Sequence, residues 1–115
     1  ADLLISDWSG ISTEFAFALE RPVIFIDTIQ KINNHKWQTY NLPCLEKEIR
    51  GQIGVVIDPK EINEISNFIN SIMKDYKEIR EKIIEARKKN IYNIGCSSIH
   101  AARHLSDLVD KQYSL

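Results

Sequence analysis

Ser9, Gly10, Ser12 and Thr13 lie within one short stretch, with Asp7 just before it and Glu14 just after. Three hydroxyls and a glycine in that space can surround an oxygen-rich anion. The hydroxyls donate hydrogen bonds, and Gly10, lacking a Cβ, lets a ligand approach the backbone closely. A diphosphate fits this chemistry. The stretch has no Lys or Arg, which separates it from a Walker-type loop with its lysine, and it does not match the G-x-G-x-x-G dinucleotide pattern. Ser and Thr are also ordinary helix caps, but one cap needs one such residue, and here three hydroxyls stand beside Asp7. Glu14 lacks the three-residue spacing from Ser9, Ser12 or Thr13 that a capping box requires. It suits the positive end of a helix dipole, and it could equally accept hydrogen bonds from the ribose hydroxyls of a bound nucleotide. Asp7 either caps the loop backbone or faces the ligand. His35, in a long polar segment, is a further candidate contact.

The elements around this stretch must place it at the end of a sheet. Leu3, Leu4 and Ile5 form a continuous apolar run, the pattern of a strand covered on both faces. Residues 11–20 follow a helical rhythm with Ile11, Phe15, Ala18 and Leu19 on one face, widened by Ala16 and Phe17, so this helix is expected to be well buried. Pro22 stops it, and Val23 to Ile26 reads as a second strand. Strand, hydroxyl-rich turn, helix, strand is the order of a βαβ unit. It sets a helix N-terminus, with its free N–H groups and partial positive charge, at the carboxyl end of the first strand.

Gly54 to Ile57 reads as a third strand. Asp58-Pro59 then signals a helix start, followed by a face of Ile62, Ile65, Phe68, Ile69, Ile72 and Met73. The pattern restarts near Asp75-Tyr76 with Ile79, Ile83 and Ile84 inward up to about Lys89. Ser97 or Ser98 can cap a last helix with Ile99, Ala102, Leu105, Leu108 and Val109 on its apolar side. Between Thr28 and Gln52 the chain is polar and lacks a long period; Leu45 to Arg50 could make one or two helical turns. Alternating strands and helices imply an α/β fold with a parallel sheet of about three strands, helices on both faces and a helical C-terminal tail. In such sheets ligands sit beyond the carboxyl ends of the strands.

At 115 residues the chain is one domain at most. A net charge of −1 gives no general attraction to nucleic acid or to an anionic membrane, and the basic residues of 74–89 alternate with acidic ones at salt-bridge spacing, as on a solvated helix face. His100 and His104 have the i, i+4 spacing of a two-histidine metal face, but no third ligand is evident beside them. Cys44 and Cys96 lack metal spacing and leave two readings, of which thiols in a reducing cytoplasm fit better than a disulfide. The chain begins at Ala1 inside a strand pattern, which reads as a fragment of a larger polypeptide.

The segment S-D-W-S-G-I-S-T-E-F-A, followed by L-E-R-P-V-I-F, resembles the D-x-S-S-x-x-x-E-x-A…P-V-I-F segment of CDP-glycerol glycerophosphotransferases. These are bacterial teichoic-acid polymerases and primases with a GT-B glycosyltransferase fold. The later I-G-V-V-I-D-P and I-Y-N-I-G-C-S-S look like that family's closing elements. The resemblance implies that residues 1–115 are part of a Rossmann-like C-terminal half-domain that binds the donor nucleotide. Ser9, Gly10, Ser12 and Thr13 would hold the diphosphate and Glu14 the ribose. The intact protein would move glycerophosphate, or another polyol phosphate, from a CDP-activated donor to a cell-envelope polymer or lipid-linked acceptor. No metal or other cofactor would be needed.

The catalytic base would lie in an N-terminal domain of the same polypeptide, leaving this chain alone inactive. The setting would be cytoplasmic, with peripheral contact at the inner face of the cell membrane and no nucleic-acid partner. A nucleotide-sugar glycosyltransferase of capsule or polysaccharide synthesis is the alternative, since a similar turn, downstream Glu and Pro-Val strand occur in other GT-B enzymes. A non-catalytic helical interaction module on an α/β scaffold is a second alternative. Two departures from the family stand out: Gly10 replaces a common second Ser, and Glu20-Arg21 replaces the usual Gly-Lys, which should affect only the connecting turn.

Overall fold

A computed structural model describes residues 1–30, 32, 34, 36–40 and 44–113. Three strands, β1 (Leu4–Ser6), β2 (Val23–Ile26) and β3 (Gly54–Ile57), form a parallel sheet in the order β1-β2-β3. Leu4, Ile5 and Ser6 pair with Val23, Ile24 and Phe25, and Val23 to Ile26 pair with Gly54 to Ile57. The sheet was expected to be parallel because each pair of strands is separated by a helix: α1 (Ile11–Leu19) after β1 and α2 (Leu45–Ile53) after β2. Three further helices follow β3: α3 (Ile65–Lys74), α4 (Tyr76–Asn90) and α5 (Ser97–Tyr113).

The alternation of β2 divides the core in two. Val23 and Phe25 point to one face, where they meet Ala16 and Phe17 of α1, Ile49 and Ile53 of α2, and Ile83 and Ala86 of α4. Ile24 points to the other and packs with Ile57 and with Ile72 of α3, flanked by Ile65, Phe68 and Ile69. A strand buried on both faces has no polar face to show, so β2 is apolar throughout. Each fully buried Ile or Val stabilises the fold by about 1.5–3 kcal/mol.

Several helix faces differ from the sequence expectation. In α1 the buried residues are Ser12, Ala16 and Phe17, whereas Ile11, Ala18 and Leu19 are exposed. Apolar side chains surround this helix almost completely, so periodicity alone did not select the buried side. The helix predicted after Asp58 begins as a 3-10 turn over Pro59–Glu64, held by a capping box. Lys60 N–H donates to Asp58 Oδ1 (2.8 Å), and Asp58 N–H donates to Glu61 Oε2 (3.1 Å). Ile62 and Met73, expected on the core face, are exposed. The short turn expected at Leu45 is a full nine-residue helix.

α5 departs furthest. Ile99, Leu105, Leu108 and Val109 are all exposed. The radius of gyration is 18.4 Å, against about 13 Å for a compact chain of this length, because α5 projects from the body.

Glu20 and Arg21 do more than shape a connecting turn. Glu20 caps α1 in the left-handed conformation (φ 54°), a position that glycine favours. Its carboxylate bonds Arg80 and Arg87 of α4, and Arg21 Nη1 donates to the Tyr76 hydroxyl at 2.8 Å. Glu20 and Arg21 thus fasten the α1–β2 turn to α4.

Candidate functional site

β1 ends at Ser6, and the chain turns through Asp7, Trp8, Ser9 and Gly10 into α1. Gly10 is the N-cap residue with helical dihedrals (φ −59°, ψ −29°), and no side chain caps the helix. The N–H of Ser12 donates to the Ser9 carbonyl (3.1 Å), and those of Thr13 and Glu14 donate to the Gly10 carbonyl (3.1 and 3.3 Å). The N–H groups of Ser9, Gly10 and Ile11 find no acceptor among the described residues. The same holds for the hydroxyls of Ser9, Ser12 and Thr13. Unpaired donors therefore collect at the positive end of a nine-residue helix.

Exposure sorts the predicted residues. Asp7, Ser9, Gly10 and Glu14 are exposed, Thr13 is half-buried, and Ser12 is buried at 1 % exposure with its Oγ unpaired. Ser9, Gly10 and Thr13 are the accessible part of the turn, and Ser12 lies behind them. Glu14 stands in the first turn of α1, about one helical turn from Gly10. Its carboxylate has no partner among the described residues. His35 lies outside the described residues.

Sequence reasoning missed the group beneath the turn. Arg50 of α2 is buried at 6 % exposure. Its guanidinium carbon lies 3.9 Å from the Trp8 ring centroid and 4.9 Å from that of Phe25, inside the range of a cation–π contact. Its Nη1 donates to Asp27 Oδ1 at 2.8 Å, while Nε and Nη2 are buried without a partner. Trp8 in turn donates from Nε1 to the Thr28 carbonyl at 2.8 Å. One signal was available: Arg50 falls beside Ile49 on the stripe that also holds Ile53, so a charge occupied the inward side of α2.

His100 and His104 sit on α5, exposed. Among the described residues no three His, Cys, Asp or Glu side chains gather as a metal-ligand set, and no helix is long and apolar enough to cross a membrane. A cleft of about 290 Å³ opens beside Gly54, Asp75, Glu78 and Lys82. It lies at the amino end of β3, the opposite end of the sheet from the turn, and Lys82 there is paired with Glu78 at 2.7 Å. The hydroxyl turn, at the carboxyl end of β1, is where a parallel sheet presents ligands. The chain matches no family model, no curated protein and no solved structure.

Proposed function

We propose that the Asp7–Glu14 turn binds the diphosphate of a nucleotide-activated donor, and that the chain is the donor-binding part of a GT-B type transferase. The observation that carries this reading is the set of unpaired donors at the start of α1: three N–H groups and three hydroxyls that the fold itself leaves unused. Ser9, Gly10 and Thr13 meet the phosphate oxygens, and Glu14, about one helical turn from Gly10, accepts hydrogen bonds from ribose hydroxyls. The resemblance to CDP-glycerol glycerophosphotransferases favours CDP as the nucleotide and glycerophosphate, or another polyol phosphate, as the transferred group.

In that reaction an acceptor hydroxyl attacks the transferred phosphorus, a new P–O bond forms, and the P–O bond to the nucleoside monophosphate breaks. The acceptor proton passes to a base outside this chain. The turn stabilises charge on the departing phosphate with donors already in place, which is the form of electrostatic help that costs no reorganisation during reaction. A cell-envelope polymer or lipid-linked molecule is the acceptor, met by a domain other than this one.

Amide NMR during nucleotide titration tests the reading. Millimolar CDP should move the Ser9, Gly10 and Ile11 signals more than UDP does. If none of the three moves with either nucleotide, the binding role is wrong. If UDP moves them and CDP does not, a nucleotide-sugar transferase replaces the glycerophosphate one.

A further inference from the structure

We propose that Arg50 is a positioning residue of the diphosphate turn, holding Ser9 and Gly10 through the Trp8 indole; this rests on the nucleotide-binding reading above. Trp8 immediately precedes Ser9, so whatever fixes the indole fixes the start of the turn. Two contacts do so: the Arg50 guanidinium lies 3.9 Å from the ring centroid, and Nε1–H donates to the Thr28 carbonyl at 2.8 Å. Arg50 is itself fixed by Asp27, whose Oδ1 accepts from Nη1 at 2.8 Å. Asp27 N–H donates to the Ile57 carbonyl at 2.9 Å. The guanidinium and the indole thereby join the segment after β1 to the segment after β2, and the Asp27 N–H ties the latter to the end of β3.

The arrangement is expensive for a purely structural brace. A guanidinium at 6 % exposure with Nε and Nη2 unpaired gives up solvation that a Leu or Met at the same place would not lose. What an apolar side chain could not supply is a planar cation able to stack on the Trp8 ring and to bond the Asp27 carboxylate at once. Lys would keep the charge and lose the plane. The turn contains no basic residue of its own, and Arg50 is a cation stacked on the ring of Trp8, the residue before Ser9.

The experiment compares wild type with Arg50→Lys, Arg50→Met and Trp8→Phe in the full chain. Three signals are followed: the Trp8 indole N–H, the Ser9 and Gly10 amides, and affinity for CDP and for inorganic pyrophosphate. Core signals of Ile49 and Ile53 report folding. Arg50→Lys should shift the indole and turn signals, leave the core signals in place, and weaken CDP and pyrophosphate about tenfold. Trp8→Phe keeps a ring over Arg50 but loses the bond to Thr28, and should give a smaller shift and a smaller loss of affinity. It also keeps the test open if both Arg50 variants unfold. If a folded variant moves neither turn amides nor affinity, the positioning role is overturned. If wild type binds neither CDP nor pyrophosphate, the functional reading fails by itself. The indole and turn shifts then decide the brace alone: unmoved turn amides in Trp8→Phe and Arg50→Lys would refute it.

Discussion

Arg87 Nη2 lies 2.6 Å from Glu20 Oε1, although Glu20 stands in the left-handed conformation at φ 54°. The same guanidinium donates from Nη1 to the Phe17 carbonyl at 2.6 Å, one of the carbonyls that the end of α1 leaves without a helical partner. Arg80 bonds the other carboxylate oxygen. Backbone strain at Glu20 and the ion pairs therefore oppose one another, and substitutions can separate them. Glu20→Ala keeps the strain and loses both pairs. Glu20→Gly loses the pairs but relieves the strain, because glycine adopts positive φ freely. Thermal unfolding should place Glu20→Ala lowest, Glu20→Gly between, and wild type highest. A Gly variant above wild type would mean that the ion pairs contribute less than the strain costs.

The same contact predicts an acid limb in the stability profile. The hydrogen bond from Arg87, and after it Arg80, hold the Glu20 carboxyl below its ordinary value of 4.5 against the opposing effect of burial. Between that lowered value and 4.5 the unfolded chain binds more protons than the folded one, so stability rises with pH there. The contribution is fully present above pH 4.5 and is lost as pH falls through the folded value. Glu78, lowered by Lys82, adds a change of the same sign on an exposed helix face. Urea unfolding followed across the acid range should show the slope. Glu20→Gln should flatten part of it, and an unchanged slope in that variant would assign the limb to other carboxylates.

Gly54 begins β3 opposite Val23, and a Cβ placed on it would come within 1.7 Å of the Val23 carbonyl oxygen. That atom is backbone in the central strand and cannot rotate aside. Gly54→Ala must push β3 away from β2, at a cost of about 1–3 kcal/mol. A urea midpoint within error of wild type would show that the strand start can shift freely. Gly51, with open space around its Cβ position, is the control: Gly51→Ala lies within α2 and should stabilise by up to about 1 kcal/mol through helix propensity.

How much of this was legible depended on how many partners a residue needed. β2 could be read because a strand covered on both faces must be apolar, which Val23–Ile26 satisfies by itself, whereas β3 is read from the short run Val55–Ile57 although Val56 proves exposed. The break between α3 and α4 was signalled locally at Asp75-Tyr76. The buried side of α1 was not legible: Ile11, Phe15, Ala16, Phe17, Ala18 and Leu19 face nearly every direction, and only contact with α2 and α4 chooses among them. At the turn, the hydroxyls and Glu14 were visible because they are adjacent in sequence. Trp8, Asp27 and Arg50 come from three separate segments and meet only when the strand ends are aligned.

α5 carries a prediction about local stability. Its described side chains are exposed from Ser97 onward, so it gains little of the tertiary packing from which most helical stability comes. Hydrogen exchange should be fast throughout α5 and slow at Ile24 and Phe25, by several orders of magnitude. Comparable protection in α5 would mean that its apolar side, Ile99, Leu105, Leu108 and Val109, is covered in solution, as an interaction module would require.

Ser12 offers the sharpest separation of stability from function. Its hydroxyl is buried and has no partner among the described residues, although Ser12 heads the core face of α1 with Ala16 and Phe17. A buried hydroxyl without a hydrogen bond costs about 1–3 kcal/mol, and Ala is the better helix former. Ser12→Ala should therefore stabilise the fold, by about 1 kcal/mol, measured as a higher urea midpoint with unchanged slope. If the turn holds a diphosphate, the same substitution removes a donor that a bound phosphate can draw into use, and CDP affinity should fall. Gain in stability with loss of binding is the signature of a residue retained for a ligand. A stabilised variant with wild-type affinity would remove Ser12 from the site and leave Ser9, Gly10 and Thr13 as its phosphate-facing residues.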